Sequence, residues 1–244
     1  MHWIMLRGLT REQAHWGDFR KRLEQAFPDD RFHPVDLPGT GVHYRESSPG
    51  TIAGIREQVE RQVSHIPGPY GILALSMGGM VALDWAQNAP AGQIQALVLI
   101  NTSCGFSPPW HRMRPGAWPR IMRLLARREL FEREADILRL TCNTEPELAT
   151  MKHWYSIQRQ RRVSPRTAWQ QLQAAVGYRP RAKRPLPDGL LLASQRDRIV
   201  HWRCSEALEQ RWHWTMKLHP WAGHDLPLDD PEWIVAQIRQ WRNP

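Results

Sequence analysis

Residues 72–80 read ILALSMGGM: four apolar residues run into a serine, and two glycines follow almost at once. A strand that leaves through Ser76 into a helix needs small residues two before and two after the turn, and Ala74 and Gly78 occupy those positions. Such a turn lifts the hydroxyl clear of the strand. It also aims the helix's free N–H groups and the positive end of its dipole at whatever the hydroxyl attacks. The matching chemistry is acyl transfer, where negative charge develops on a carbonyl oxygen. A serine is a poor nucleophile until a base takes its proton, and the chain holds 11 histidines to choose from. The alternative is purely structural, with Ser76 capping the helix and Gly78 and Gly79 allowing close packing.

A serine so placed requires a scaffold of alternating strands and helices. The apolar runs at 3–6, 32–37, 70–75, 95–100, 189–194 and 214–219 predict strands, several of them apolar almost throughout. That pattern belongs to a parallel sheet covered on both faces. Helices are predicted near 11–26, 51–65, 77–89, 202–211 and 231–242. The last is announced by Asp229, Asp230 and an early proline, with Asp229 or Asp230 as its expected cap. The alternation fails between 105 and 185, where arginines, prolines and tryptophans gather in helical patterns. We expect a helical lid inserted into one α/β core made of 1–104 and 186–244, because strands on both sides are needed for one sheet.

The chain has 244 residues, 41% of them hydrophobic, enough for one sizeable domain. No apolar run is long enough to span a bilayer, and the opening MHWIML is too short for a signal-peptide core. A cytoplasmic monomer is expected. Cys104, Cys142 and Cys204 form no CxxC pair and read as isolated thiols. The net charge of +9 is concentrated in the lid, where 17 Lys and Arg stand against 6 Asp and Glu. A surface of that kind attracts an acidic partner.

Further motifs join the Ser76 turn: LRGLT at 6–10, VDLPGTG at 35–41, SQRDRIV at 194–200 and WAGHDLPLDDPEWI at 221–234. On these the chain resembles the α/β-hydrolase superfamily over nearly its whole length, lacking that family's first two strands. The resemblance implies an α/β-hydrolase fold and nominates Asp197 as the acid and His224 as the base, in the order Ser…Asp…His. It makes LRGLT the oxyanion loop, with Gly8 for the turn and backbone N–H groups from Leu9 and Met77 as donors. Arg7 stands where a histidine is usual. His213 and His219 are expected to be structural, and His201 to line a pocket. No metal or cofactor is implied, and no His/Cys/Asp cluster has ligand spacing.

LINTSCGFSPPW at 99–110 and the lid's arrangement also resemble the family of pimeloyl-acyl-carrier-protein methyl ester esterases of biotin synthesis. That resemblance implies a carrier-bound acyl ester and an acidic acyl carrier protein as partner, with no nucleic acid. In a helical lid, Arg120, Arg123 and Arg127 share one face at i, i+3 and i+7, and Arg159, Arg162 and Arg166 repeat the spacing. Both rows are candidate carrier contacts, although a merely solvated basic lid has the same composition. Trp110, Trp118, Trp154 and Trp169 suit an acyl-lined pocket or a packed lid equally. Two other functions stay open: a lipase- or thioesterase-like hydrolase of lipid or coenzyme A esters, and a noncatalytic scaffold for an acidic partner.

Overall fold

The computed structural model describes residues 1–243, apart from the side chain of Leu125. Six strands, β1 His2–Leu6, β2 Arg31–Val35, β3 Tyr70–Leu75, β4 Ile94–Ile100, β5 Leu190–Ser194 and β6 Thr215–His219, form one sheet in the order β2-β1-β3-β4-β5-β6. Every pairing is parallel. Successive side chains of a strand face opposite sides, and the cores follow that alternation. Ile4, Leu6, Ile72 and Ala74 face one core with the apolar stripe of α2 (Ile52–Val63), α3 (Met77–Asn88) and Leu208 and Trp212 of α9 (Arg203–Trp212). Trp3, Met5, Leu73 and Leu75 face the other core with α1 (Phe19–Ala26) and α11 (Pro231–Arg242). Burying each Leu- or Ile-sized side chain contributes about 1.5–3 kcal/mol, so this double cover is what holds the strand ends in register.

Between β4 and β5 lie α4 (Pro109–Arg112), α5 (Trp118–Ala126), α6 (Leu130–Thr141), α7 (Leu148–Gln160) and α8 (Pro165–Gly177). Helices α6 and α7 share a small core of their own around Leu138, Met151, Trp154 and Ile157. A short helix, α10 (Leu226–Asp229), precedes α11.

Several expectations need correcting. The helix predicted near 11–26 is split into a 3-10 turn at Gln13–Trp16 and α1, because Gly17 adopts φ +52° between them. Arg159, Arg162 and Arg166 do not share a helix face. Arg161 leaves helical geometry at φ −133°, ψ 63°, and Ser164-Pro165 starts a new helix, with Ser164 Oγ accepting from the Thr167 N–H. Arg127 likewise falls just beyond α5, at φ −69°, ψ 119°, and pairs with Asp136 at 2.9 Å instead of extending the row of Arg120 and Arg123. Of the two aspartates expected to cap α11, Asp230 does so, accepting from the Trp233 N–H at 3.0 Å.

Candidate active site

Ser76 sits where β3 gives way to α3, at φ 56°, ψ −119°. A non-glycine residue at positive φ is strained by about 1–3 kcal/mol and persists only where its surroundings force it. Here the crowding is visible. A Cβ on Gly78 would lie 2.5 Å from the Leu6 carbonyl oxygen and 2.6 Å from that of Arg7, both backbone atoms that cannot swing aside. A Cβ on Gly8 would lie 3.1 Å from Ser76 Cβ, so the loop after β1 lies directly against the serine. Ser76 Oγ does not cap its helix, which removes the simplest structural reading of the residue. Among the described residues, the N–H groups of Leu9 and Met77 are donated to no acceptor. Met77 directly follows Ser76, and Leu9 directly follows Gly8, which lies against the serine.

Asp197 and His224 come from neighbouring parts of the rim. Asp197, after β5, is buried and accepts from the Ile199 and Val200 N–H groups at 2.7 and 3.0 Å. Its other oxygen lies 2.6 Å from His224 Nδ1. Burial works against the charged imidazole, but the Asp197 carboxylate, its hydrogen bond and Asp225 outweigh it, so the His224 pKa stands above the ordinary value. Ser76 Oγ and the ring share no hydrogen bond in this structure; such contacts are often long until substrate arrives.

The tip of β4, between β3 and β5, ties the two sides together. The Ile100 carbonyl accepts from the Ser76 N–H at 2.9 Å. The next residue, Asn101, at φ 47°, donates through Nδ2 to the His224 carbonyl at 2.9 Å and to Ser194 Oγ at 3.1 Å. Its Oδ1 accepts from the Ser194 N–H at 2.8 Å. Two adjacent residues thereby hold the serine turn, the histidine loop and the end of β5. Asn101 lies inside LINTSCGF, yet nothing in that stretch marks its side chain as a tie.

Arg7, the departure from the usual pattern, is fully buried. It makes a two-pronged ion pair with Asp225 at 2.5 and 3.1 Å and lies 4.8 Å from the centre of the Trp16 ring. It binds the loop after β1 to the residue following His224. Asp229 accepts from the N–H groups of Gly223, Asn143 and Thr144, so it fastens the histidine loop to the lid. Arg114, from the lid, donates to the Asp197 carbonyl at 2.6 Å.

The remaining histidines take other roles. His219 is buried, 3.1 Å from Asp230, and His213 closes α9 in a left-handed conformation. His201 stacks on His111, and burial and neighbouring Arg114 lower its pKa. The buried thiols of Cys104 and Cys204 are pushed up to about 11 and about 12, which leaves them unreactive as nucleophiles. Arg120, Arg123, Arg159, Arg162 and Arg166 are exposed and form no ion pair among the described residues. Trp154 is packed inside the lid, whereas Trp110, Trp118 and Trp169 are exposed, so those three line no closed pocket.

A sequence profile described as the alpha/beta hydrolase family matches residues 4–237. The chain belongs to the alpha/beta hydrolase family. A pimeloyl-[acyl-carrier protein] methyl ester esterase of Nitrosomonas europaea is 31% identical to the chain over 116 residues, or 48% of this chain and 40% of the relative. A protein of the same name from Nitrosospira multiformis is 35% identical over 107 residues, covering 42% of this chain and 39% of the relative. The chain thus matches about two fifths of each relative's length. Among solved hydrolase structures, one from Oleispira antarctica superposes with a TM-score of 0.78 at 15% identity, covering 100% of this chain and 91% of that one. An esterase from Exiguobacterium antarcticum gives 0.76 at 14%, covering 100% and 92%. At such identities the likeness shows the hydrolase fold alone. Among the described residues, no helix of this hydrolase is long and apolar enough to cross a membrane.

Proposed function

We propose that this hydrolase is a serine carboxylesterase in which Ser76 attacks the acyl carbon. The observation that carries the reading is the strained Ser76 turn beside a 2.6 Å Asp197–His224 bond, both tied to the tip of β4. His224 takes the hydroxyl proton and later returns it to the leaving alcohol. Asp197 fixes the ring tautomer and stabilises the imidazolium. The free N–H groups of Leu9 and Met77 receive the oxyanion, each worth on the order of 3 kcal/mol in the transition state. Water then hydrolyses the acyl-enzyme by the same route. The decisive test is hydrolysis of short p-nitrophenyl esters together with fluorophosphonate labelling. Both are expected in the natural protein and absent in Ser76→Ala; turnover surviving that change sinks the proposal.

For the substrate we propose the methyl ester of a pimeloyl group on an acyl carrier protein. Support comes from the names of the partial relatives and from the unpaired lid arginines Arg120, Arg123, Arg159, Arg162 and Arg166, which suit an acidic carrier. Charges on an exposed rim chiefly raise the association rate and make it salt-sensitive. Complementation of a biotin-requiring strain that lacks its esterase checks this, and failure at good expression rules it out. A second reading, a hydrolase of lipid or coenzyme A esters, draws on the exposed Trp110, Trp118 and Met122 of the lid. Activity that climbs toward long acyl chains or micelles would favour it.

A further inference from the structure

The residues directly after Leu9 are held by three different lid helices. The Thr10 N–H donates to Gln171 Oε1 of α8 at 2.8 Å. Arg11 Nη1 donates to Glu134 Oε2 of α6 at 2.8 Å. Glu12 accepts from Arg161, at the end of α7, at 2.5 and 3.1 Å. Glu12, Glu134 and Gln171 are all fully buried, so these are interior ties and not surface pairs.

Gln171 is the member nearest the chemistry. Its Oε1 holds Thr10 while its Nε2 donates to the Pro38 carbonyl at 3.2 Å. One side chain thereby clamps the oxyanion loop to the loop after β2. Thr10 stands at φ 59°, a conformation β-branched residues rarely adopt, so it needs an external hold. The peptide N–H next to it in sequence, that of Leu9, donates to no acceptor among the described residues, and it follows Gly8, which lies against Ser76. A donor worth having in the transition state must already be aimed, because aiming it during the reaction costs the energy it supplies.

We propose that Gln171 is a positioning residue for the oxyanion hole, and that the lid is the frame of this loop and not only a cover. The inference rests on the esterase reading above.

The test compares Gln171→Leu, which removes the acceptor, with Gln171→Glu, which keeps an acceptor oxygen for Thr10. Short p-nitrophenyl ester kinetics, affinity for a trifluoromethyl ketone inhibitor, thermal unfolding and hydrogen exchange of the 7–12 segment are read for each. Gln171→Leu is expected to lower kcat about tenfold or more with KM within twofold. Inhibitor affinity should fall in parallel, and the 7–12 amides should exchange faster. Gln171→Glu should restore part of the loss, because it keeps the acceptor for Thr10 but not the donor to the Pro38 carbonyl. Unchanged kcat in Gln171→Leu overturns the inference while leaving the esterase reading intact. So does a loss that merely tracks the unfolding temperature, or one that Gln171→Glu shares in full. Natural protein that turns over no ester and takes no fluorophosphonate removes the esterase reading first, and this inference with it.

Discussion

Arginines at the sheet rim and arginines on the lid surface share a side chain and little else. Arg7 and Arg11 are buried, each paired with a carboxylate and stacked on a tryptophan, Arg7 on Trp16 and Arg11 on Trp154. Arg120, Arg123, Arg162 and Arg166 stand in solvent without a carboxylate partner among the described residues. A buried guanidinium is costly unless its partners are fixed, so the rim arginines act as rivets whose removal strands a charge. An exposed one gains little from any single neighbour and acts through the field it adds to. The lid contains both kinds. Arg161 and Arg114 face inward to Glu12 and the Asp197 carbonyl, although their neighbours in sequence face out.

The comparison is broken most forcefully at the site itself. Asp197→Asn is expected to lower kcat by about 10⁴ without unfolding the protein, because the amide favours the wrong imidazole tautomer. A loss below about tenfold, measured with p-nitrophenyl butyrate, would detach the Asp197–His224 pair from catalysis.

Next in size is the rivet. Arg7→Met leaves Asp225 buried and unpaired and is expected to cost about 3–5 kcal/mol in denaturant unfolding. Exchanging both partners for apolar residues, Arg7→Met with Asp225→Leu, should recover much of that. A single mutant within about 0.5 kcal/mol of the natural protein would show that the pair holds nothing.

The pH profile sharpens the same contrast. In the proposed reaction His224 must be neutral to act, and Asp197 and Asp225 favour the charged ring, so activity should be lost on acidification through a pKa above the ordinary value of about 6.5. Asp225→Asn, which removes one of those carboxylates, should move the acid limb of kcat/KM downward. Arg7→Met, which removes the opposing cation, should move it upward. Limbs that stay fixed in both variants would mean that neither group is felt at the ring.

The smallest effect belongs to the surface. Arg120→Gln with Arg123→Gln should change stability by no more than about 0.5 kcal/mol and leave small-ester turnover alone. Association with an acidic carrier should slow and lose salt dependence. Equal association rates at low salt would reduce those arginines to solubility.

Much of the fold was legible in the sequence. All six strands lie within two residues of their apolar runs, because strands covered on both faces must be apolar nearly throughout. The Ser76 turn was legible for a similar reason, since crowding at the turn dictates small residues at fixed spacing. The helix near 11–26 and the second arginine row were misread, because one glycine and one Ser-Pro pair outweigh a helical periodicity that remains visible across them. The choice between Asp229 and Asp230 was not legible, because two adjacent aspartates offer the same cap and only the lid's Asn143 and Thr144 decide which one turns away.

The sequence by itself determined what depends on nearest neighbours along the chain: strand and helix alternation, the strained serine turn, and the uneven distribution of charge. Tertiary structure alone decided which arginines are buried, that Asn101 joins the histidine loop to the tip of β4, and that Gln171 holds a loop 161 residues away. Those ties are a few hydrogen bonds between distant segments. No periodicity or spacing encodes them, because their partners meet only after the sheet has brought the strand ends together.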